Sequence, residues 1–540
     1  MKQKFRKYYI GIVSILLIFL TACNDLNQVP TGQFTDATYW YSSDKASYVL
    51  NMAYNQMMGD GYFFANEALT DNLFVTRTSD EKLISSGIAN STTGRFSNEW
   101  KDSYGGIRTC NTFLENVDRV PNMDGTLKAR MKAEARFIRA SLFFRLTTWF
   151  GDVPLFNTNI TVSESKTIAR SSHADVLKFV RSELDSAALV LPATYTGADI
   201  GRVTSGAAVS LKARTYLYEN DWANVAIACQ QVMSSSIYSL FPNYAGLFSI
   251  ANVHNSEVIL DLEYVPSLRT WSEYFDYAPP SAGRRVNQQS PTQELVDNYL
   301  MMNGDTIKAT GSGYDETNPY VNRDPRLAAT VLFDGGIFKI PVTIPTPGII
   351  DSVIHIKPGS KTVDEYISGS GNNSLTGYYM KKYYDPTYTG SFNSGLNLIL
   401  IRYADILLMY AEAKNELGVM DQTVWDQTIK LIRQRAGFTD VNATDFKSTW
   451  TQSDLRKIIR NERRSELALE GTRIFDIRRW KTAETVLNGY PHGAKYGSSS
   501  VDNGYIRLDK RTFNVNRDYL FAVPQSQRDL DPSLGQNPGY

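Results

Sequence analysis

Three glutamates, Glu462, Glu466 and Glu470, recur at every fourth residue of NERRSELALEG, the spacing that places side chains on one helical face. A glycosidase needs two carboxylates about 5–10 Å apart, one to protonate the leaving oxygen and one to activate water or attack the sugar. The same stretch carries Arg460, Arg463, Arg464 and Arg473. Guanidinium groups interleaved at helical spacing hold carboxylates ionised, and an ionised carboxylate is a poor general acid. A catalytic pair must also bracket the scissile bond rather than line one helix. The row is therefore read as helix packing, and no catalytic residue is assigned. The four histidines, His173, His254, His355 and His492, are scattered and form no HExxH-type cluster. No CxxC pair, Walker A loop or GxSxG elbow is present, and the glycines around Ser312 and Ser370 are ordinary loop signals. No acidic loop has EF-hand spacing, so no motif supports a structural calcium ion and no cofactor is expected.

The elements that would position functional groups are mostly helical. Ala133, Phe137, Ala140 and Phe144 share one face of a helix over 128–150, which Gly151 and Pro154 stop. Helix pairs are predicted at 205–219 with 222–235 and at 401–418 with 422–436, followed by a helix at 453–470. In the second pair Ala404, Leu407, Leu408 and Ala411 form the apolar stripe and Gly418 ends the first helix. Small residues facing bulky ones suit stacked hairpins of a tetratricopeptide-like kind. Between about 240 and 400, Gly, Pro, Asn and Tyr become frequent, and runs at Phe338–Val342 and Val353–Ile356 predict short strands or hairpins. The stretch from Asn488 to Tyr505 is again loop-like, and such loops usually carry function on a rigid scaffold.

The 56 basic and 56 acidic side chains balance, which argues against nucleic-acid binding. Aromatic residues make up 12%, with 32 tyrosines and 8 tryptophans, flat faces with a polar handle that suit sugar or peptide recognition. At the N-terminus Lys2, Lys4, Arg6 and Lys7 precede an apolar run from Ile10 to Leu20, half the length a spanning helix needs. Leu20-Thr21-Ala22-Cys23 then resembles the lipobox of bacterial lipoproteins, with the lipid expected on Cys23. Removal of the leader takes four cations and leaves 52 basic against 56 acidic side chains, net −4. Cys110 and Cys229 are too few for a disulfide framework, and the sequence leaves a bridge between them undecided.

The blocks ILIRYADILLMYAEAKNELG (399–418), RNERRSELALEGTRIFDIRRW (460–480) and YLFAVPQSQRDLDPSLGQNPGY (519–540) resemble the hallmarks of the SusD/RagB family. Trp100, Tyr104, Ile107 and Asn111, AEARFIRASLFFRLTTWFGDVPL (133–155), GRVTSGAAVSLKARTYLYENDW (201–222), SPTQELVDNYLMMNGD (290–305) and NRDPRL (322–327) are similar to its earlier blocks, in the same order. The resemblance implies a mainly α, SusD-like fold of four tetratricopeptide-like helix pairs plus an irregular, loop-rich part with short β-hairpins. It implies a signal peptide over 1–22, a lipidated tether over 23–40, an N-terminal helical part over 41–235 and a C-terminal part with variable ligand loops over 236–540. It further implies a non-enzymatic outer-membrane lipoprotein, facing outward, that captures glycans for a SusC-like TonB-dependent transporter. Peptide capture, as in RagB-like members, is the alternative, and a lipid-anchored glycosidase working through Glu462 and Glu466 is a more distant one. In the family blocks, ERRSELALEG, FDIRRW and QNPGY take structural roles, and Trp480 beside Arg479 is read as core.

No family motif carries onto the ligand surface, so its candidates come from local chemistry. Pyranose rings stack on Trp or Tyr while Asn, Asp and Arg bond their hydroxyls. TWSEYFDYAPPSAGRR (270–285) offers Trp271, Tyr274, Tyr277, Arg284 and Arg285, with Trp271 leading. The stretch 72–98, read as loop-like, offers Arg77, Asp80 and Asn90.

Overall fold

The computed structural model describes residues 40–272, 276–283, 286–342, 348–387 and 393–540. Cys23 and the leader lie outside these residues, as do Tyr274, Arg284 and Arg285.

The scaffold is a stack of helix pairs whose starts are written in the sequence as side-chain caps. α1 (Ser43–Met57) begins at Ser42, α5 (Gly125–Phe150) at Asp124, α6 (His173–Ala188) at Ser172 and α7 (Ser205–Tyr218) at Thr204. Each cap oxygen accepts an otherwise unpaired first-turn N–H, worth roughly 1 kcal/mol per cap. Between α1 and α5 run α2 (Asp60–Ala68), β1 (Leu73–Val75), α3 (Asp80–Ser85) and α4 (Gly94–Asn116). All four residues of the predicted α5 face, Ala133, Phe137, Ala140 and Phe144, are buried. α7 and α8 (Trp222–Ser234) form a hairpin whose turn places Asn220 in the left-handed region at φ 57°. α4 packs on α5, α5 on α6 and α6 on α7, and α8 on α11 (Tyr403–Glu416), so the pairs continue from one end of the chain into the other.

The irregular part contains β2 (Val258–Leu262), β3 (Gln289–Pro291), α9 (Gln293–Asn298), α10 (Pro325–Thr330), β4 (Val331–Leu332), β5 (Gly336–Val342), β6 (Gly348–Ile354), β7 (Tyr379–Met380) and β8 (Leu398–Arg402). They pair as four two-stranded antiparallel ribbons, β1 with β3, β2 with β8, β4 with β7 and β5 with β6. The last is the predicted hairpin, in register Phe338 to Ser352. One apolar core holds residues from Trp40 to Leu534, so the helical stack and the irregular part are built on the same interior. Among the described residues no helix is long and apolar enough to cross a membrane.

Three local expectations need correction. The helix expected over 422–436 is broken into α12 (Gln422–Gln427) and α13 (Ile429–Ala436) at Thr428, whose φ of −131° and ψ of −89° are not helical. Its hydroxyl donates to the Val424 carbonyl at 2.6 Å, a local bond that competes with the helix ladder. The helix expected over 453–470 ends at Glu466 as α14 (Gln452–Glu466), so Glu470 does not continue the glutamate row on a helix. The stretch 72–98 holds α3 and the start of α4, with Asp80 in the first turn of α3. Cys110 and Cys229 are both free and buried, and burial pushes the Cys110 thiol up to about 12.

Candidate ligand-binding face

The glutamates of α14 are scaffold. Glu462 and Glu466 are fully buried. Arg326 Nη1 lies 2.7 Å from Glu462 and 2.8 Å from Glu466, Arg433 Nε lies 2.7 Å from Glu462, and Arg435 also pairs with Glu466. Arg402 joins Glu466 and Glu257 at 2.6 Å each and Glu470 at 2.7 Å, while Lys382 meets Glu470 at 2.6 Å. Burial alone would raise the Glu466 carboxyl, but Arg435, Arg402 and Arg326 pull it far below the usual carboxylate range. Such a group cannot carry a transferable proton near neutrality. Trp480 is half-buried and its Nε1 donates to Glu412 at 2.7 Å, with Arg460 and Arg479 over its ring at 4.6 and 4.8 Å. It belongs to the same packing.

The leading sequence candidate is also core. Trp271 is 2% exposed, its Nε1 donates to the Leu396 carbonyl at 2.7 Å and its ring sits 5.1 Å from Phe64. Tyr277 is fully buried, its hydroxyl directed at the Tyr383 carbonyl at 3.3 Å. Neither offers a face to a ligand. Both rings meet Phe64 of α2, about two hundred residues away in sequence, which is why local composition misread them. Asn90 is exposed, but its Oδ1 accepts from the Thr92 N–H at 2.8 Å and hydroxyl at 2.7 Å, closing the turn before α4. Arg77 is exposed just past β1.

The structure does join the two candidate segments. β1 follows directly from Asn72, β3 follows the 270–285 stretch, and Phe74 pairs with Ser290. Beyond the ribbon, Thr76 bonds Gln288 and Asn287. β3 leads through the Thr292 cap into α9, which delivers Glu294 and Asp297 to the surface. There they wall a recess of about 370 Å³ together with Lys308, Arg464, Asn488 and Tyr490. Tyr490 is 49% exposed, with the Arg507 guanidinium 4.9 Å from the centre of its ring.

The recess continues into a tyrosine-rich face. Glu294 accepts from His492 Nδ1 at 2.8 Å, and the other imidazole nitrogen lies 3.2 Å from Asp502. Asp502 also pairs with Arg507 at 2.5 Å, which lowers its carboxyl to about 2. The bond to Glu294, outweighing burial, raises the His492 pKa above its ordinary value. The His492 ring stands 6.5 Å from Tyr505, whose hydroxyl donates to Glu316 at 3.2 Å; Lys495 meets Glu316 at 2.7 Å. Tyr314, Tyr320, Tyr366 and Tyr496 are half-buried in the adjoining loops, with Tyr366 and Tyr496 5.8 Å apart. Burial lifts Tyr320 to about 12 and moves Tyr314, Tyr496 and Tyr505 in the same direction. All four stay neutral hydroxyls at physiological pH. The face thus offers apolar ring surfaces edged by donors and acceptors, the pairing that sugar hydroxyls and C–H faces need. Of its residues, Tyr490, His492, Tyr496 and Tyr505 fall in the loop-like stretch 488–505, whose repeated Tyr among Gly and Pro was the available signal.

Comparison with known proteins places this architecture. Residues 256–540 match the model described as the SusD family, and residues 40–217 match one described as starch-binding associating with outer membrane. Two SusD-like proteins of Formosa agariphila are similar, one 26% identical over 71% of this chain and 70% of its own length, the other 24% identical over 99% and 100%. A crystal structure of a SusD-like carbohydrate-binding protein from Bacteroides fragilis is 29% identical, covering 92% of this chain and all of its own, with a TM-score of 0.82. With more than half of the sequence matched by one family model and the fold shared over 92% of the chain at a TM-score of 0.82, the chain belongs to the SusD family.

Proposed function

We propose that this protein captures oligosaccharides at the outer face of the outer membrane, held there by a lipid on Cys23, and hands them to a SusC-like TonB-dependent transporter. The observation that carries the glycan part is the recess at Tyr490. A half-exposed ring borders Glu294, Asp297, Lys308 and Asn488, and the tyrosine-rich face extends it. A ring of this kind covers one face of a pyranose while the carboxylates, amide and ammonium bond its hydroxyls. The carbohydrate-binding neighbour from Bacteroides fragilis supports the same reading. The buried glutamates support binding without turnover to the extent that Glu462 and Glu466, locked as ion pairs, cannot serve as a glycosidase pair.

The test is calorimetric titration of the purified chain with a panel of oligosaccharides and oligopeptides. At least one glycan binds, Tyr490→Ala weakens it about tenfold, roughly 1.4 kcal/mol, and no reducing ends are released on long incubation. Affinity for oligopeptides alone would replace glycan by peptide capture, and released reducing ends would end the binding-only reading. Loss of membrane retention in Cys23→Ala, and co-purification of the wild-type chain with a barrel transporter, test the anchor and the hand-over separately.

A further inference from the structure

A third group of potential ligands lies at β2, outside the recess and the buried network. Asp261 is in the strand and Glu263 two residues on, so both point to the same side of the ribbon. His254 lies just before β2, with its backbone in the left-handed region at φ 58°. Its Nε2 is 3.4 Å from a Glu263 carboxylate oxygen, and one ligand atom from each of the three residues lies within 4.8 Å of the others. Among the described residues this is the one trio of His, Cys, Asp or Glu so placed.

The surroundings leave the carboxylates undersupplied with donors. Asp261 is 6% exposed, and Asn397 Nδ2 donates to its Oδ2 at 2.9 Å. Glu263 Oε1 is buried without a donor in hydrogen-bond geometry, its carboxyl facing that of Asp261 with Asn397 beside them both. Arg202, in the adjoining wall, is committed to Glu134 at 2.8 Å and Asp199 at 2.9 Å. Arg269 donates to the Glu263 main-chain oxygen at 2.6 Å. On the remaining side Gly201 (φ +91°) comes so close that an added Cβ would stand 2.4 Å from the Glu263 carboxyl carbon. A cavity of about 230 Å³ reaches His254 and Asp261, and one of about 300 Å³ reaches Asp261 and Glu263, so an ion can enter from solvent.

We propose that His254, Asp261 and Glu263 bind one divalent first-row transition-metal ion of the Zn²⁺ class. An imidazole nitrogen with two carboxylates suits that class, whereas Ca²⁺ and Mg²⁺ prefer oxygen ligands alone. Three protein ligands leave a fourth position for water. Bond lengths of about 2.0–2.2 Å require the ligand atoms to close by roughly 1 Å on binding. His254 and Glu263, with 34% and 31% of their side chains exposed, have the room to do so. The bound ion ties the segment before β2 to the β2–β8 ribbon, which packs on α7. The inference does not depend on glycan capture.

The experiment is equilibrium dialysis of the full metal-free chain against Zn²⁺, read by elemental analysis, with His254→Asn, Glu263→Gln and His355→Asn alongside. Asn is chosen because it tolerates the left-handed backbone at 254. The wild-type chain and His355→Asn bind one Zn²⁺ per chain, and each of the other two variants loses at least tenfold in affinity. No stoichiometric binding, wild-type affinity in both site variants, or displacement by an equal concentration of Ca²⁺ would overturn the site. Should a variant fail to fold, X-ray absorption on the zinc-loaded wild type decides the matter. One imidazole among oxygen ligands supports the trio, and two or more imidazoles or a sulfur ligand contradict it.

Discussion

The glutamates of α14 and the acidic groups around Tyr490 are the same chemistry in opposite surroundings. Glu462 and Glu466 are sealed from solvent, and each is held by two or more guanidinium groups. Glu316 pairs with Lys495 while 51% and 42% of their side chains remain exposed, and Arg507 is 45% exposed beside Asp502. Exposed pairs contribute about 0–1 kcal/mol and exchange readily with solvent or a ligand hydroxyl. A buried pair is different, because removing one partner strands the other charge and costs roughly 3–5 kcal/mol. Carboxylate–arginine composition therefore says nothing about whether a segment recognises or supports. Burial and the number of cations per carboxylate decide it.

The largest effect that tests this contrast is Glu466→Ala. It removes the carboxylate that Arg326, Arg402 and Arg435 share, leaving three buried guanidinium groups short of counter-charge, and denaturant unfolding is expected to show a loss of about 3–5 kcal/mol. A loss below about 1 kcal/mol would mean the network is dispensable, and the contrast with the surface face would fall. Trp271→Ala should cost a similar amount, about 3–5 kcal/mol, through the cavity left beside Phe64. Glycan affinity of the folded fraction should stay unchanged, and a selective affinity loss at full stability would return Trp271 to the ligand face.

A third prediction probes the edge of the buried network by pH. Glu67 is 1% exposed and accepts from Asn72 Nδ2 at 3.0 Å and from the Gly471 N–H at 2.9 Å. Burial outweighs those bonds and raises its carboxyl to about 7 from 4.5. The folded state then holds a proton that the unfolded state has released, so this group's contribution falls as pH rises from about 4.5 to about 7. The full difference is at most about 3 kcal/mol. Glu67→Gln should flatten the stability profile between those pH values, measured as the denaturation midpoint across the range. An unchanged profile would assign the pH dependence elsewhere.

Part of the helical stack, α5, the α7–α8 pair and α11, was legible because its signals are local. Thr204 and Asp221 cap where the apolar periodicity begins, and Gly418, at φ +73°, takes the left-handed backbone just past α11. The β5–β6 hairpin was legible as two alternating runs. The recess was not, because its walls come from α9, α14 and the 485–491 segment, and no window of sequence contains that meeting. Trp271 failed for the converse reason. Its neighbours look like a binding loop, and what buries it lies at Phe64 and Leu396. The ribbon of β1 and β3 joins the two candidate segments and leads into α9, while Trp271 and Tyr277 serve the core and Asn90 a turn.

The smallest expected effect separates ring from hydroxyl on the exposed side of the comparison. Tyr505→Phe keeps the ring next to His492 and removes only the donor to Glu316, which retains Lys495 at 2.7 Å. Because the bond is solvent-accessible, stability should change by no more than about 0.5 kcal/mol. If the face works chiefly through ring surfaces, glycan affinity should fall no more than about threefold, roughly 0.7 kcal/mol, far less than for Tyr490→Ala. A loss greater than tenfold, with stability intact, would show that the neutral phenol is itself a ligand donor. The weight of recognition would then shift from the Tyr490 recess to the Tyr505–Glu316–Lys495 edge, whose ion pair would have to open when the ligand binds.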